Sequence, residues 1–218
     1  MAPFDASAFL AAHAPVGGCP LVPELRLHLA PALTPLWEAL DAAHGPPTPP
    51  PPYWAFAWPG SQVLARRVLD APEAVRGRRV VDFAAGCGLA GIAAARAGAA
   101  AVLCLDIDPL AAAAAHANAQ LNGVSVEVAA EDRVGAPLPG VDLLLAGDIC
   151  YEKSASERIL RWLRGLVAAG VEVWLADPDR RYRPAGGFTV LWEGAVPTTM
   201  DLESTASRWT RVVRLEAA

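Results

Sequence analysis

From Arg79 onward, short apolar runs that stop at acidic or glycine residues alternate with longer segments of helical period. Val80-Val81-Asp82-Phe83 ends in turn glycines and predicts a buried strand; Leu89 to Ala97 then predicts a helix closed by Gly98. Ala101 to Leu105 reads as a second strand ending at Asp106. Pro109 opens a helix at its favoured first position, running to Leu121 and stopping at Asn122-Gly123. Further strands are predicted at Val124–Val128, Val141–Ala146 and Val171–Ala176, with a helix from about Ser154 to Ala168 between the last two. Phe188–Trp192 and Arg208–Leu215 look like two late strands; with no long helix between them, they are expected to pair antiparallel at one edge. Alternation of this kind implies an α/β fold, a doubly wound and mostly parallel seven-strand sheet with helices on both faces.

Residues 1–44 read as helical. Leu21, Leu25, Leu27, Leu29, Leu33, Leu36, Trp37 and Leu40 supply an apolar face, interrupted by Pro31 and Pro35. Pro46, Pro47 and Pro49 to Pro52 form a stiff connector. Residues 1–52 are therefore expected to be a helical extension with a Pro-rich linker, and residues 53–218 the main domain. That domain opens on an aromatic cluster of Tyr53, Trp54, Phe56 and Trp58, which serves either a ligand or as a hydrophobic clamp on the N-terminal segment. Ser61 is the expected N-cap of a helix from Gln62 to Asp70.

Composition narrows the class. The 218 residues are 54% hydrophobic and 19% charged, too apolar for a disordered chain, although alanine fills 46 positions. No apolar run reaches the length of a membrane span, and the first cationic residue is Arg26, so neither a signal peptide nor an Arg-rich transit peptide is expected. The net charge of −5 argues against nucleic acid as a partner. The clusters Arg76-Arg78-Arg79 and Arg180-Arg181-Arg183 are expected to be solvated faces. Cys19, Cys87, Cys104 and Cys150 form no C-x-x-C pair, and the four His show no zinc spacing. A reduced, cytoplasmic protein without a metal is expected.

In an open α/β sheet, ligands bind beyond the carboxyl ends of the strands. Here four predicted strands end on or beside an aspartate: Asp82, Asp106, Asp148 and Asp177. Glu131 and Asp132 follow the third. Gly86-Cys87-Gly88-Leu89-Ala90-Gly91 is a literal G-x-G-x-x-G, and Asp106 lies 18 residues past Gly88, near the spacing of a ribose-binding carboxylate. A NAD-type oxidoreductase is one reading. S-adenosyl-L-methionine binding is the other, and Asp82 favours it: a carboxylate at this turn repels a pyrophosphate but attracts an ammonium and a sulfonium. A third role for Asp82 is to cap the following helix.

Asp82-Phe83-Ala84-Ala85-Gly86-Cys87-Gly88 resembles the first motif of the class I, seven-strand methyltransferases, whose fold is Rossmann-like. Pro52-Tyr53-Trp54-Ala55-Phe56-Ala57-Trp58-Pro59-Gly60 and Asp148-Ile149-Cys150-Tyr151 resemble the protein-lysine methyltransferase group that includes the enzyme modifying the β-subunit of electron transfer flavoprotein. Val22 to Leu29 and Val196-Pro197-Thr198-Thr199 are similar to its bacterial members. The resemblance implies S-adenosyl-L-methionine as cofactor, S-adenosyl-L-homocysteine as product, and the flavoprotein β-subunit as protein partner. It implies that Asp82 and the backbone of Ala84, Gly86 and Gly88 hold the methionine part, with Trp58 closing over it. Asp106 is then the ribose ligand, Ile107 packs on adenine, and Asp132 (or Glu131) accepts from the adenine amino group. Asp148 and Tyr151 meet the substrate, and Tyr53 and Trp54 offer cation–π contacts. The group often has Gly where Ala84 stands, so the turn is expected to keep a negative φ there. A small-molecule N-methyltransferase acting on a nicotinamide-like substrate, or a ribosomal-protein methyltransferase, are the alternatives.

Overall fold

The computed structural model describes residues 4–217. Its N-terminal part departs from the helical expectation. Helix α1 (Ala6–His13), capped by the Asp5 carboxylate, is followed by an antiparallel hairpin of β1 (Val16–Cys19) and β2 (Val22–His28), then by α2 (Leu33–His44). The physical reason is visible in the leucines: Leu25, Leu27 and Leu29 recur every second residue, which suits a strand, and Val22, Leu25 and Leu27 are fully buried. Pro35 sits in the first turn of α2, where no intrahelical N–H is needed. A single turn of 3-10 helix covers Tyr53–Ala55.

Helix α3 spans Pro59–Asp70 with Trp58 as N-cap and Pro59 at its first position. Ser61 is thus inside the helix, not its cap; its hydroxyl donates to the Trp58 carbonyl at 3.0 Å. The regular part then follows as β3 (Arg79–Phe83), α4 (Leu89–Arg96), β4 (Ala101–Asp106), α5 (Pro109–Leu121), β5 (Glu127–Ala130), β6 (Leu143–Gly147), α6 (Lys153–Ala168), β7 (Glu172–Asp177), β8 (Phe188–Pro197), the short α7 (Met200–Glu203) and β9 (Ser207–Leu215). Strand β5 begins three residues later than expected, and β8 continues five residues further.

The seven-strand sheet has the order β5-β4-β3-β6-β7-β9-β8. β3 to β7 are parallel neighbours, and the reversed strand β9 lies between β7 and the edge strand β8. Because β3 pairs with both β4 and β6, the chain changes winding direction there, which opens a crevice at the carboxyl ends. Alternate strand residues serve opposite faces. Val80, Leu143 and Leu145 join α3, α4 and β2 in one core; Val81, Phe83, Leu144 and Ala146 join α6 in the other.

The N-terminal segment adds its hairpin to the first of these cores and builds a third one. Phe9, Leu10, Leu36, Leu40, Trp54 and Phe56 pack on Ala111 and Ala114 of α5. Asn118, fully buried on α5, accepts from His28 N–H at 2.6 Å and donates to the Cys87 carbonyl at 2.9 Å, joining β2 to the glycine loop. All four cysteines are free thiols and buried. Among the described residues no helix is long and apolar enough to cross a membrane.

Candidate active site

Asp82, Asp106, Asp148 and Asp177 all stand at the carboxyl edge of the sheet, as the strand-end rule requires. The loop from β3 to α4 turns sharply. Gly86 and Gly88 have φ of 52° and 77°, and Ala84 has φ of 53°, contrary to the negative value expected of it. Two ties over-determine the turn: Ala85 N–H donates to Leu105 O at 3.1 Å, and Gly86 N–H donates to Asp106 Oδ2 at 2.9 Å. They force alanine into the left-handed region.

Asp82 is buried, and its Oδ2 accepts from Gly91 N–H, in the first turn of α4, at 2.7 Å. It thereby satisfies one free N–H of that helix's first turn, whose N-cap residue is Gly88. Burial pushes its pKa up to about 7, against the lowering effect of that hydrogen bond. Among the described residues no Lys, Arg or His forms an ion pair with Asp82 or Asp106. Asp106 Oδ1 accepts from Asp108 N–H at 3.0 Å, and Ile107 beside it is 74% exposed. Asp132 is more committed: Arg158 donates to one oxygen at 2.8 Å and Val134 N–H to the other at 2.9 Å, and Arg158 holds its pKa below the ordinary carboxylate value. Glu131 pairs with Arg133 at 2.8 Å.

The aromatic cluster divides. Tyr53 and Tyr151 are exposed and meet edge-on at 6.2 Å; Tyr53 also meets Trp58 edge-on at 5.7 Å, and the Trp58 indole donates to the Tyr53 carbonyl. These three form an open rim. Trp54 does not belong to it. It is 2% exposed and packs with Phe56 in the N-terminal core, away from the surface where a substrate contact was expected of it.

Asp148 follows β6 with φ of 58°, its N–H bound to Ala176 O at 3.0 Å. Its carboxylate is nearly enclosed. Oδ2 accepts from Ser61 N–H at 3.2 Å, at the N-terminus of α3, and Oδ1 lies 3.5 Å from Arg180. Gly60 is required here: a Cβ would fall 2.6 Å from Asp148 Oδ2 and 2.8 Å from the Ala176 carbonyl. Burial raises the Asp148 pKa to about 7, opposed by Arg180 and reinforced by Asp177. Arg180, Asp177 and Glu203 complete the network. Glu203 is buried and paired with Arg180 at 2.6 Å and Arg208 at 3.0 Å. Beside them a cavity of about 350 Å³ is lined by Tyr151, Pro178, Arg180, Arg181 and Arg208. The sequence pattern points to Asp177 alone. Arg180 looks like part of a basic cluster, and nothing in the sequence marks Glu203; the useful signal was a cation three residues past a strand-end carboxylate.

A family model for ribosomal protein L11 methyltransferase (PrmA) matches residues 64–146, from α3 into β6. Magnesium protoporphyrin IX methyltransferase from Synechocystis PCC 6803, solved with SAM bound, has a similar fold: TM-score 0.51, 21% identity, covering 72% of this chain and 79% of that one. Strand order, glycine loop and strand-end carboxylates define a class I methyltransferase. The electron transfer flavoprotein beta subunit lysine methyltransferase of Xenopus laevis is 38% identical over 184 residues, covering 79% of this chain and 70% of that protein. Its namesake from Danio rerio is 40% identical over 133 residues, 60% of this chain and 52% of that one. The chain belongs to this family of methyltransferases, which removes the NAD-dependent reading.

Proposed function

We propose that this protein transfers a methyl group from S-adenosyl-L-methionine to lysine side chains of a protein, the β-subunit of electron transfer flavoprotein being the substrate that the family points to. One observation carries the reading: the buried carboxylate of Asp148, held by Ser61 N–H and Arg180, stands three residues before Tyr151, which forms with Tyr53 an open rim, the two tyrosines being 61% and 45% exposed. An open rim suits a side chain presented by a large partner. A small molecule calls for a lid, and α1, β1, β2 and α2 are committed to packing on the core.

The donor set fits the cofactor. Asp82 is a buried carboxylate without a cationic side-chain partner, suited to an ammonium, and Asp106 is suited to a ribose diol. Gly86, Gly88 and Ala84 offer backbone close to it, Ile107 an apolar face for adenine, and Trp58 a cover. Asp132, with one hydrogen bond on each oxygen, keeps a lone pair on each for the adenine amino group. When bound, S-adenosyl-L-methionine supplies an activated methyl group beside a positive charge.

The protein's own task is to deliver a neutral amine. A lysine of pKa near 10.4 resists this at pH 7 by about 4.6 kcal/mol. The Asp148 carboxylate attracts and aims the ammonium, and the exposed rings of Tyr53 and Tyr151 offer it cation–π contacts. Like charge nearby and desolvation lower the amine's pKa. Water at the open rim carries the proton away. Positioning supplies the remainder.

Incubating the purified protein with methyl-labelled S-adenosyl-L-methionine and a cell lysate tests the substrate class. A labelled protein band of the β-subunit's size is expected. Label confined to small metabolites would refute the protein-substrate reading.

A further inference from the structure

Asp148 is held from two sides, and only one of them follows from its capping of α3. The other is Arg180. Its Nη2 lies 2.6 Å from Glu203 Oε1 and 3.5 Å from Asp148 Oδ1, and its backbone N–H donates to Asp177 Oδ1 at 2.6 Å. Arg208 closes the far end, with Nε 3.0 Å from Glu203 Oε2 and Nη2 donating to the Glu203 carbonyl at 3.1 Å. The side chains of Glu203 and Asp148 are 3% and 10% exposed. A bond made there is not diluted by water as a surface pair is. The same Arg180 lines the cavity that opens beside Tyr151.

We propose that Arg180 is a positioning residue for methyl transfer: by bridging Asp148 and Glu203 it keeps the Asp148 carboxylate charged and aimed, and ties the segment before β9 to the site. The proposal rests on the reading that Asp148 meets the substrate amine. The groups that face Asp148 are few. Asp177 ends β7 and Arg180 follows in the loop after it, Cys150 comes from the loop of Asp148 itself, and the Gly60 and Ser61 N–H groups from α3. Glu203 acts on it through Arg180. The guanidinium is the only full positive charge in this set. It stands between two carboxylates, so each competes with the other for it.

That competition gives the test a sign. Arg180→Gln removes the cation, so the Asp148 pKa rises. Glu203→Gln removes the rival anion and leaves Arg180 to Asp148, so the Asp148 pKa falls. The pH–rate profile is measured with the full chain and recombinant flavoprotein β-subunit. In parallel the Asp148 carboxyl is titrated by infrared difference spectroscopy, its band assigned by its loss in Asp148→Asn. Arg180→Gln is expected to lower kcat about tenfold, to leave the KM for S-adenosyl-L-methionine within about twofold, and to move the acid limb up by about one pH unit. Glu203→Gln is expected to move it down, and Arg180→Lys to recover most of the Arg180→Gln shift. A purely structural role lowers the melting temperature of both variants without moving titration or acid limb in opposite directions; that result overturns the proposal. Should Arg180→Gln not fold, Glu203→Gln decides by direction alone. Asp148→Asn with wild-type turnover overturns the reading beneath, and the proposal with it; that failure is recognised because the titrations still shift.

Discussion

At the scale of single residues, the site is built from groups in uncomfortable states. Ala84 and Asp148 both hold positive φ without being glycine. The left-handed region disfavours an L-residue by about 1–2 kcal/mol, so their neighbours must enforce it. Ala84→Gly should therefore stabilise the protein by about 0.5–1 kcal/mol, after the extra unfolded-state entropy of glycine. Ala84→Val should destabilise it, since a β-branched residue tolerates this region worst; chemical denaturation of the two variants checks both signs.

Asp82 makes a second residue-scale prediction. Its folded-state pKa of about 7 lies above the ordinary 3.8. Between those values the unfolded chain loses the proton while the folded one keeps it, so stability falls as pH rises through this window. Asp148 adds the same sign. Denaturation midpoints at pH 5.5 and 7.5 should show the loss, and Asp82→Asn should reduce it. A cationic ligand on Asp82 favours its charged form, so S-adenosyl-L-methionine binding near pH 6.5 should release protons, seen as buffer-dependent binding heats that shrink in Asp82→Asn. Strand-end carboxylates were legible in the sequence because a strand's end is marked by its own apolar run. Their partners were not: Arg180 and Glu203 reach Asp148 across 32 and 55 positions of chain, and no local pattern encodes such a meeting.

At the scale of elements, the N-terminus of α3 is the piece that most directly shapes the site. It lies backbone against backbone on the ends of β6 and β7, with Ser61 N–H on Asp148. Gly60→Ala places a methyl against a carboxylate oxygen and a main-chain carbonyl, neither of which can move freely. It should destabilise the fold by about 1–3 kcal/mol and lower turnover more than cofactor affinity, as thermal melts and steady-state kinetics would show. The β1–β2 hairpin was missed because leucine, a good helix former, fills its inward positions; the period of two, not the residue type, was the informative signal. The inward orientation of Trp54 is hidden for a related reason. Four aromatics within six residues look alike in sequence, and only the 3-10 turn decides which face inward. Trp54→Ala should therefore cost about 3–5 kcal/mol of stability, with the KM for the protein substrate unchanged in the fraction that remains folded.

For the whole molecule, the parallel sheet was readable because alternation of strand and helix leaves few permitted topologies, whereas the strand order that places the switch point at β3 was not. That the crevice lies at the carboxyl ends followed from the alternation alone. The division at residue 52 reads differently in three dimensions, since Val22, Leu25 and Leu27 of the first part sit in the same core as Val80 and Leu145 of the second. A contact pattern of that kind depends on which surfaces are left uncovered after the sheet forms, and the linear sequence does not display it.

The most direct measurement is mass spectrometry of purified electron transfer flavoprotein β-subunit after incubation with the protein and S-adenosyl-L-methionine. Methyl groups on lysine are predicted with the wild-type chain and none with Asp148→Asn, whose S-adenosyl-L-methionine affinity stays nearly intact. An unmodified β-subunit with the wild-type protein, or equal methylation by both, would contradict the account.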